Sequence, residues 1–246
     1  RAAKQVESLH PDRKCHSAWP AWEPNSVLPS RAKRAEANQG TVEYTALAQK
    51  VGSPLYFVCG SDGEIHAWDI NTKEHVSVLA GHKNPVTSIS IATDGHTMVS
   101  GSSEGTVIVW NLLDLKSRKV RFPAPITAIA LSPAYKLAIV GLSNGQIWSL
   151  KLKEMEVKLF SDAHDAVGSL SFAPSGEWFV STGADKKGEE STVHVWGLGS
   201  VKPTFTLTEK ETSSNTAKIT SSAISADGEL LVTGSTSGIT RVYRFK

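Results

Sequence analysis

A pattern of short strands and turn glycines recurs along this chain, and it restricts the possible folds more than any other feature. Within residues 86–112 the segments VTSISIA, TMVSGS and TVIVWNL are rich in β-branched residues, and the turns TDG and SEG separate them. This predicts three short antiparallel strands, and KSRKVRF at 116–122 can serve as a fourth. When other copies are aligned on the second turn glycine, Gly63, Gly105 and Gly145 lie 42 and 40 residues apart.

The repeat continues to the last residues. Two further copies of the turn and third strand occur at 183–198 and 234–245, and the first strand has matching copies at 126–133, 167–176 and 219–228. A period of about 40–45 residues with four strands per unit is typical of a propeller blade. The sequence therefore predicts an all-β fold, a β-propeller of four-stranded antiparallel blades with about five recognisable repeats over residues 41–246.

The repeats resemble those of the WD-repeat β-propeller family. The dipeptides that carry the resemblance are Gly81-His82, Trp68-Asp69, Trp110-Asn111, Trp196-Gly197 and the degraded Ala163-His164. The resemblance implies that each complete unit contains a buried hydrogen-bonded set of His, Ser or Thr, Asp and Trp. The matching residues are His82, Ser100, Glu104 and Trp110 in the second unit, and His164, Ser181, Asp185 and Trp196 in the fourth.

Several units depart from that pattern. Glu104 stands where the family has Asp, so we expect a looser set in the second unit. Leu150 and Tyr243 replace the Trp in the third and fifth units, whereas Trp68 and Asp69 keep their structural places in the first. We expect the members of the two sets, together with Trp68 and Asp69, to have structural roles.

Closure of the ring is left open by the sequence. The first strand of unit one is expected at 42–48, but residues 25–40 are poor strand material apart from Ser26–Leu28. The ring closes as a small propeller with an irregular strand, or a partner's strand completes an open ring, or the chain is a fragment. An open or incomplete ring is the favoured interpretation.

Residues 1–40 differ in character from the rest and are predicted to form an irregular basic N-terminal extension. They hold seven basic and four acidic residues, a net charge of +3, against −1 for the remaining 206. Trp19 and Trp22 lie among prolines without helical or strand periodicity. The extension is a disordered tail or one draped over its own propeller, or it is an arm that anchors on a partner through the two tryptophans. Basic residues interleaved with aromatic ones also make RNA a candidate partner of this segment.

No catalytic, cofactor-binding or metal-binding residues are predicted, and the chain is not expected to be an enzyme. The 246 residues have a net charge of +2 and two cysteines, which excludes a disulfide framework, and no apolar run is long enough for a membrane span. Cys59 is expected in a buried strand. His66 and His194 occupy the same place in two units too far apart to share a metal ion, so each is expected to be structural.

The predicted function is a non-catalytic protein–protein interaction scaffold, a subunit of a larger multiprotein assembly. By resemblance, one face carries the loops between blades and the turns between second and third strands, where Asp62, Glu104 and Asn144 also lie. The expected partner-binding residues are Lys83, Asn84, Arg121, Phe122 as the apolar anchor, Asp165, Lys186 and Lys187, with Trp19 and Trp22 on the arm.

Two other functions remain open at this stage. One is an RNA-associated factor in a ribonucleoprotein that uses the basic arm, and the other is a reader of acidic or phosphorylated peptide motifs. A small-molecule ligand is not expected. The predicted location is intracellular, cytoplasmic or nuclear, with mitochondrial import an alternative because the sequence starts at Arg1.

Overall fold

All regular structure described for this protein is β-structure. The computed structural model describes residues 42–50, 52–185, 190–209 and 218–245, together with the backbone of 6–8. The strands of these residues, in chain order, are β1 (Val6–Ser8), β2 (Tyr44–Gln49), β3 (Leu55–Gly60), β4 (Glu64–Asp69), β5 (Glu74–Ala80), β6 (Val86–Ile91), β7 (Thr97–Ser102), β8 (Thr106–Asn111), β9 (Ser117–Arg121), β10 (Ile126–Leu131), β11 (Leu137–Leu142), β12 (Gln146–Lys151), β13 (Glu156–Asp162), β14 (Val167–Phe172), β15 (Trp178–Ala184), β16 (Ser191–Gly197), β17 (Phe205–Glu209), β18 (Ile219–Ile224), β19 (Leu230–Ser235) and β20 (Thr240–Phe245).

These strands form five four-stranded antiparallel sheets, one for each predicted repeat. The first four blades are β2–β5, β6–β9, β10–β13 and β14–β17, each running in chain order from its inner to its outer strand. The fifth blade has the order β18-β19-β20-β1. The predicted all-β propeller of four-stranded antiparallel blades is confirmed. None of the described residues forms a helix of the length and hydropathy needed to cross a membrane.

The outer strand of the fifth blade comes from the other end of the chain. β1 pairs antiparallel with β20, with Val6 opposite Phe245 and Ser8 opposite Tyr243. The prediction that 1–40 is wholly irregular is therefore wrong for these three residues, and no strand from a partner is needed at this edge. Trp19, Trp22 and the Ser26–Leu28 segment lie outside the described residues.

Each inner strand carries an irregularity at the same place. The register between inner and second strand shifts at Thr45, Thr87, Thr127, Gly168 and Thr220. In the second blade the Thr87 hydroxyl lies 3.1 Å from the Gly101 carbonyl oxygen and 2.7 Å from that of Ile126 in the third blade. Because a bulge re-aims one side chain, a single threonine joins two blades at this position.

The loops that enter each blade pack over the turns of the blade before. A Cβ added at Gly105, in the β7–β8 turn, would lie 2.8 Å from the carbonyl oxygen of Ala124, which leads into β10. The turns at 61–63, 103–105 and 143–145 and the loops at 82–85, 122–125 and 163–166 therefore share one face, which we call the turn face. This is the face on which the resemblance predicts partner contacts.

The blades pack side by side in chain order. The two ends of the series, at the inner strands β2 and β18, form what we call the open side. β6 packs on β2, β10 on β6, β14 on β10 and β18 on β14. β6 and β10 have no exposed residue and β14 has one, whereas β18 has three and β2 has four. The two inner strands at the ends of this series are thus the least covered, as in an open or incomplete ring.

Candidate interaction surfaces and polar sites

The second blade contains a buried polar set built from three of the four predicted residues. The Ser100 hydroxyl lies 2.7 Å from His82 Nε2 and accepts a hydrogen bond of 2.9 Å from Trp110 Nε1. Glu104 is more distant, because its Oε1 lies 3.8 Å from His82 Nδ1 and accepts from the Lys83 backbone N–H at 3.3 Å. His82 Nδ1 finds no hydrogen-bond partner among the described residues. This is the looser geometry expected of Glu in place of Asp.

The fourth blade repeats the arrangement with a tighter contact at the imidazole. Ser181 Oγ lies 2.7 Å from His164 Nε2 and accepts from Trp196 Nε1 at 2.8 Å. His164 Nδ1 lies 3.2 Å from the hydroxyl of Thr192, a residue that the sequence analysis did not single out. Asp185 Oδ1 accepts from the Glu190 backbone N–H at 3.2 Å. Both ring nitrogens of this imidazole therefore lie within hydrogen-bonding distance of a hydroxyl.

Among the described residues, the first and third blades have no such set because valine replaces the serine, and the fifth has a threonine there but Tyr243 in place of the Trp. Strand pairing places Val58, Val140 and Thr233 in the first, third and fifth blades where the second and fourth have serine. With Val58 in place of the serine, Trp68 of the first blade is half-buried and packs edge-on against His75 at 4.8 Å. Asp69 Oδ1 accepts from the backbone N–H groups of Asn71 and Thr72 and shapes the next turn.

The buried imidazole of the second blade makes stability depend on pH. Burial lowers the pKa of His82 to about 4, an effect that the Glu104 carboxylate opposes, whereas an unfolded imidazole titrates near 6.5. Between these values the unfolded chain binds more protons, so the stability contributed by neutral His82 is complete above about pH 6.5 and is lost as the pH falls towards 4. Over this pH range the contribution of His82 to the free energy of unfolding changes by on the order of 3 kcal/mol.

We expect His82→Gln to flatten the pH dependence of the unfolding free energy between pH 4 and 7, as measured by urea unfolding. Part of the slope remains in the variant, because burial also lowers the pKa of His194. His96→Gln, which removes an exposed imidazole, is the control and should keep the wild-type slope. An unchanged slope in His82→Gln would show that His82 does not carry the effect.

Apart from Phe122, the predicted partner-binding residues fall into two groups. Lys83, Asn84 and Asp165 are exposed in loops of the turn face, and Arg121 is exposed where β9 ends. Lys186 and Lys187, like Trp19 and Trp22, lie outside the described residues. The turn residues Asp62 and Asn144 are also exposed on the turn face.

Phe122 differs from the sequence expectation. Its side chain is 5% exposed and meets Trp148 of the third blade edge-on, with ring centroids 6.0 Å apart. It belongs to the hydrophobic cluster between the second and third blades, which also contains Val107 and Ile126. Phe122 therefore stabilises the packing of two blades and does not serve as an exposed apolar anchor.

The first blade exposes a face that the next three blades bury. Each sheet turns one face towards the preceding blade, and we call this its back face. In the second blade the back face includes Ile89 and Ile108, which are 9% and 0% exposed and pack on the first blade. Their counterparts on the first blade are Leu47 and His66. Ile89 and Ile108 are the two neighbours of Ser100 across the sheet, and Leu47 and His66 are the two neighbours of Val58, at the same place in the first blade. Leu47 is 62% exposed, and Val78, opposite His66, is 40% exposed.

A cluster of ionisable side chains lies on the same back face. His66 Nε2 is 3.3 Å from Asp62 Oδ2 and 4.0 Å from Glu64 Oε2, and His66 Nδ1 is 3.3 Å from His75 Nε2. One ligand atom of each of Asp62, Glu64 and His66 lies within 4.8 Å of the other two. From the sequence, His66 was compared only with the distant His194 and this cluster was missed, although Asp, Glu and His at alternate positions of a turn and the strand after it could have indicated it.

Cys59 has a packing role. Its side chain is fully buried in the cluster between the first and second blades. Burial, and then the nearby Asp62 carboxylate, raise the pKa of the thiol to about 12. Because the thiolate is the reactive form, this cysteine is a poor nucleophile.

A groove of about 590 Å³ lies between the second and third blades, opposite the turn face. Trp110 and Leu152 contribute to its apolar lining, and Lys136 and Lys153 are exposed at its rim. The Arg118 guanidinium spans the groove and donates to the Lys153 backbone carbonyl oxygen at 2.8 Å. The groove was not predicted, because its lining residues lie at strand ends and in turns of two different blades.

Comparison with known proteins agrees with this architecture. The family profile described as WD domain, G-beta repeat matches residues 156–197 and 202–244, and that described as Vps42 beta-propeller matches 48–149. The beta-propeller domain of Cps50 (Swd1) from Myceliophteria thermophila superposes with a TM-score of 0.70 at 19% identity, covering 82% of this chain and 67% of that one. This structural likeness concerns the fold.

Two curated proteins are similar in sequence. Transcription factor unc-37 of Caenorhabditis elegans is 31% identical over 191 residues, which are 77% of this chain and 29% of that protein. Protein groucho of Drosophila melanogaster is 30% identical over 216 residues, 87% of this chain and 28% of the relative. The chain thus spans less than a third of the length of either protein.

Proposed function

Because this chain is a member of the WD-repeat β-propeller family, we propose that it is a non-catalytic scaffold that binds other proteins across the open side of its blades. It acts as a subunit of a larger protein assembly. A relative named as a transcription factor supports an intracellular place for the scaffold, cytoplasmic or nuclear.

The observation that carries the proposal is the uncovered back face of the first blade. Leu47 is 62% exposed, whereas its counterpart Ile89 is 9% exposed beneath the first blade. Large exposed apolar patches rimmed by polar residues mark interaction sites on soluble proteins. A partner that lays a β-sheet or a bulky apolar segment against this face would restore the burial that the next blades have.

The turn face supports the same function as a second contact region. Lys83, Asn84, Arg121 and Asp165 are exposed on loops that a rigid β-scaffold holds in place. We propose that these residues form the polar rim of the interface, whose individual truncations cost less than about 1 kcal/mol each.

We expect stable partners isolated from native extract to bind the wild-type full-length chain and to be lost from Leu47→Asp. The aspartate places a charge in the centre of the proposed interface, where burial without a partner is costly. Val201→Asp is the matched control, since Val201 is 63% exposed on a loop of the fourth blade. Affinity isolation with nuclease present, followed by quantitation of the partners, measures the effect.

Other results would point elsewhere. Partners that Leu47→Asp retains would contradict the open-side interface, and partners lost from both variants would indicate a general loss of folding. Partners lost on nuclease treatment alone would favour the RNA-associated function of the basic segment 1–40.

A reader of acidic peptides is the second candidate, favoured by the groove between the second and third blades. Lys136 and Lys153 are exposed at a rim that adjoins an apolar floor. Cationic side chains of the lining outnumber its carboxylates, because Lys116, Arg118, Lys136 and Lys153 stand against Asp94 and Asp114. Such a site fits a peptide with an apolar side chain flanked by carboxylates or a phosphate. If Lys136→Glu abolishes partner binding while Leu47→Asp does not, the groove rather than the open side is the interface.

A further inference from the structure

One hairpin of the first blade brings three potential metal ligands together. Glu64 and His66 lie two residues apart on β4, so both side chains point to the same face of the sheet. Asp62 precedes them in the β3–β4 turn, where its Oδ1 accepts a hydrogen bond of 3.0 Å from the Glu64 backbone N–H. This bond fixes the aspartate and leaves its Oδ2 facing His66 Nε2 at 3.3 Å.

A second histidine holds the imidazole of the first. His75 Nε2 lies 3.3 Å from His66 Nδ1, and the His75 ring packs edge-on against Trp68 at 4.8 Å. A neutral ring can accept the Nδ1 proton of His66, and histidines that bind metals usually donate their other ring N–H in this way.

The arrangement has two proton configurations with different consequences. If His66 Nδ1–H donates to His75, the lone pair of His66 Nε2 faces two carboxylates, and a cation between them is strongly favoured. If His75 donates instead, His66 Nε2–H can donate to Asp62 and no cation is needed. A metal ion selects the first configuration because it binds the deprotonated Nε2.

We propose that Asp62, Glu64 and His66 bind one Zn²⁺ ion on the open back face of the first blade, with His75 as the positioning residue. Zinc ligands about 2.0–2.1 Å from the ion at tetrahedral angles lie about 3.3 Å apart. The Oδ2 to Nε2 distance of 3.3 Å already has this value, and Glu64 Oε2 at 4.0 Å needs only a side-chain adjustment. Glu64 is 45% exposed at its side chain, which leaves it free to move.

The donor set selects the class of metal. One imidazole nitrogen with two carboxylate oxygens suits Zn²⁺, whereas Ca²⁺ and Mg²⁺ prefer oxygen ligands alone. Three protein ligands leave a fourth position for water or for a side chain of another molecule. The site goes beyond the proposed scaffold function, because the metal is bound by this chain without any partner.

Zinc titration of the full-length chain, followed by isothermal calorimetry at pH 7.5, tests the proposal. Cys15 and the adjacent His16 lie outside the described residues, so all variants carry Cys15→Ser to remove a competing thiol. We expect one equivalent of Zn²⁺ to bind, His66→Gln to weaken binding at least about 100-fold, and His75→Gln to weaken it about 10-fold. His96→Gln, at an exposed histidine of another blade, should bind like the parent.

A second readout reports the ligands themselves. Co²⁺ substituted for Zn²⁺ should give visible absorption typical of a four-coordinate ion in the parent and none in His66→Gln. The proposal is overturned if His66→Gln and the parent bind Zn²⁺ equally, or if no saturable binding occurs below about 1 mM. The partner-binding test with Leu47→Asp stands apart from both results, since it requires no metal.

Discussion

Gly145→Ala should destabilise the protein by at least about 3 kcal/mol more than Gly238→Ala. Gly145 has a φ of +80° in the turn between β11 and β12, and a Cβ there would overlap the carbonyl oxygen of His164. The turn that contains Gly145 and the loop that contains His164 are each fixed by the strands that flank them. Neither segment can therefore move away without breaking contacts between the third and fourth blades. Urea unfolding of both variants at pH 7 measures the difference.

Gly238 provides the matched control because only the steric contact differs. Its φ is +78°, and no atom lies within 4 Å of an added Cβ. The left-handed backbone alone costs an L-residue about 1–2 kcal/mol, and this cost is common to both variants. Equal destabilisation of the two would mean that the loop entering the fourth blade yields easily, contrary to the close packing described here.

We also expect a large effect of Trp196→Ala, which should lower the free energy of unfolding by about 3–5 kcal/mol. Trp196 is fully buried, stacks on Phe179 with centroids 6.1 Å apart and donates to Ser181 Oγ at 2.8 Å. Its removal leaves a large cavity and takes away one of the two partners of a buried hydroxyl. The free energy of unfolding from urea titration gives the magnitude.

Trp68→Ala is the comparison at the corresponding position of the first blade. Trp68 is half-buried and packs on His75, and the first blade has Val58 where the fourth has the serine that accepts from the Trp. We expect Trp68→Ala to lower the free energy of unfolding by only about 1–2 kcal/mol, since Trp68 buries less apolar area than Trp196. A cost as large as that of Trp196→Ala would show that the back face of the first blade is more covered than the described residues indicate.

Local patterns along the chain were sufficient to predict the blades. Alternating β-branched residues and turn glycines specify each hairpin within about 40 residues, so neighbouring residues decide strand and turn positions. The His, Ser and Trp of the second and fourth blades follow the same logic, because strand register fixes their relative places. Glu104 lies 3.8 Å from His82, as its departure from Asp led us to expect.

Contacts between distant segments were not accessible to the same reasoning. Val6–Ser8 pairs with β20 across almost the whole chain, and nothing local in three residues distinguishes such a strand. Phe122 resembles an exposed loop residue in the sequence, yet the third blade folds over it and leaves it 5% exposed. Both outcomes depend on where another part of the chain comes to lie.

By itself, the sequence determined that this protein consists of repeated four-stranded blades and which turns need glycine, since strand propensity and positive φ are local properties. Only the tertiary structure decided which blade face stays uncovered. It also decided that Asp62, Glu64 and His66 meet with His75 across a hairpin, and that residues of two blades line one groove. Burial and proximity are set by the packing of whole sheets, which a short window of sequence does not contain.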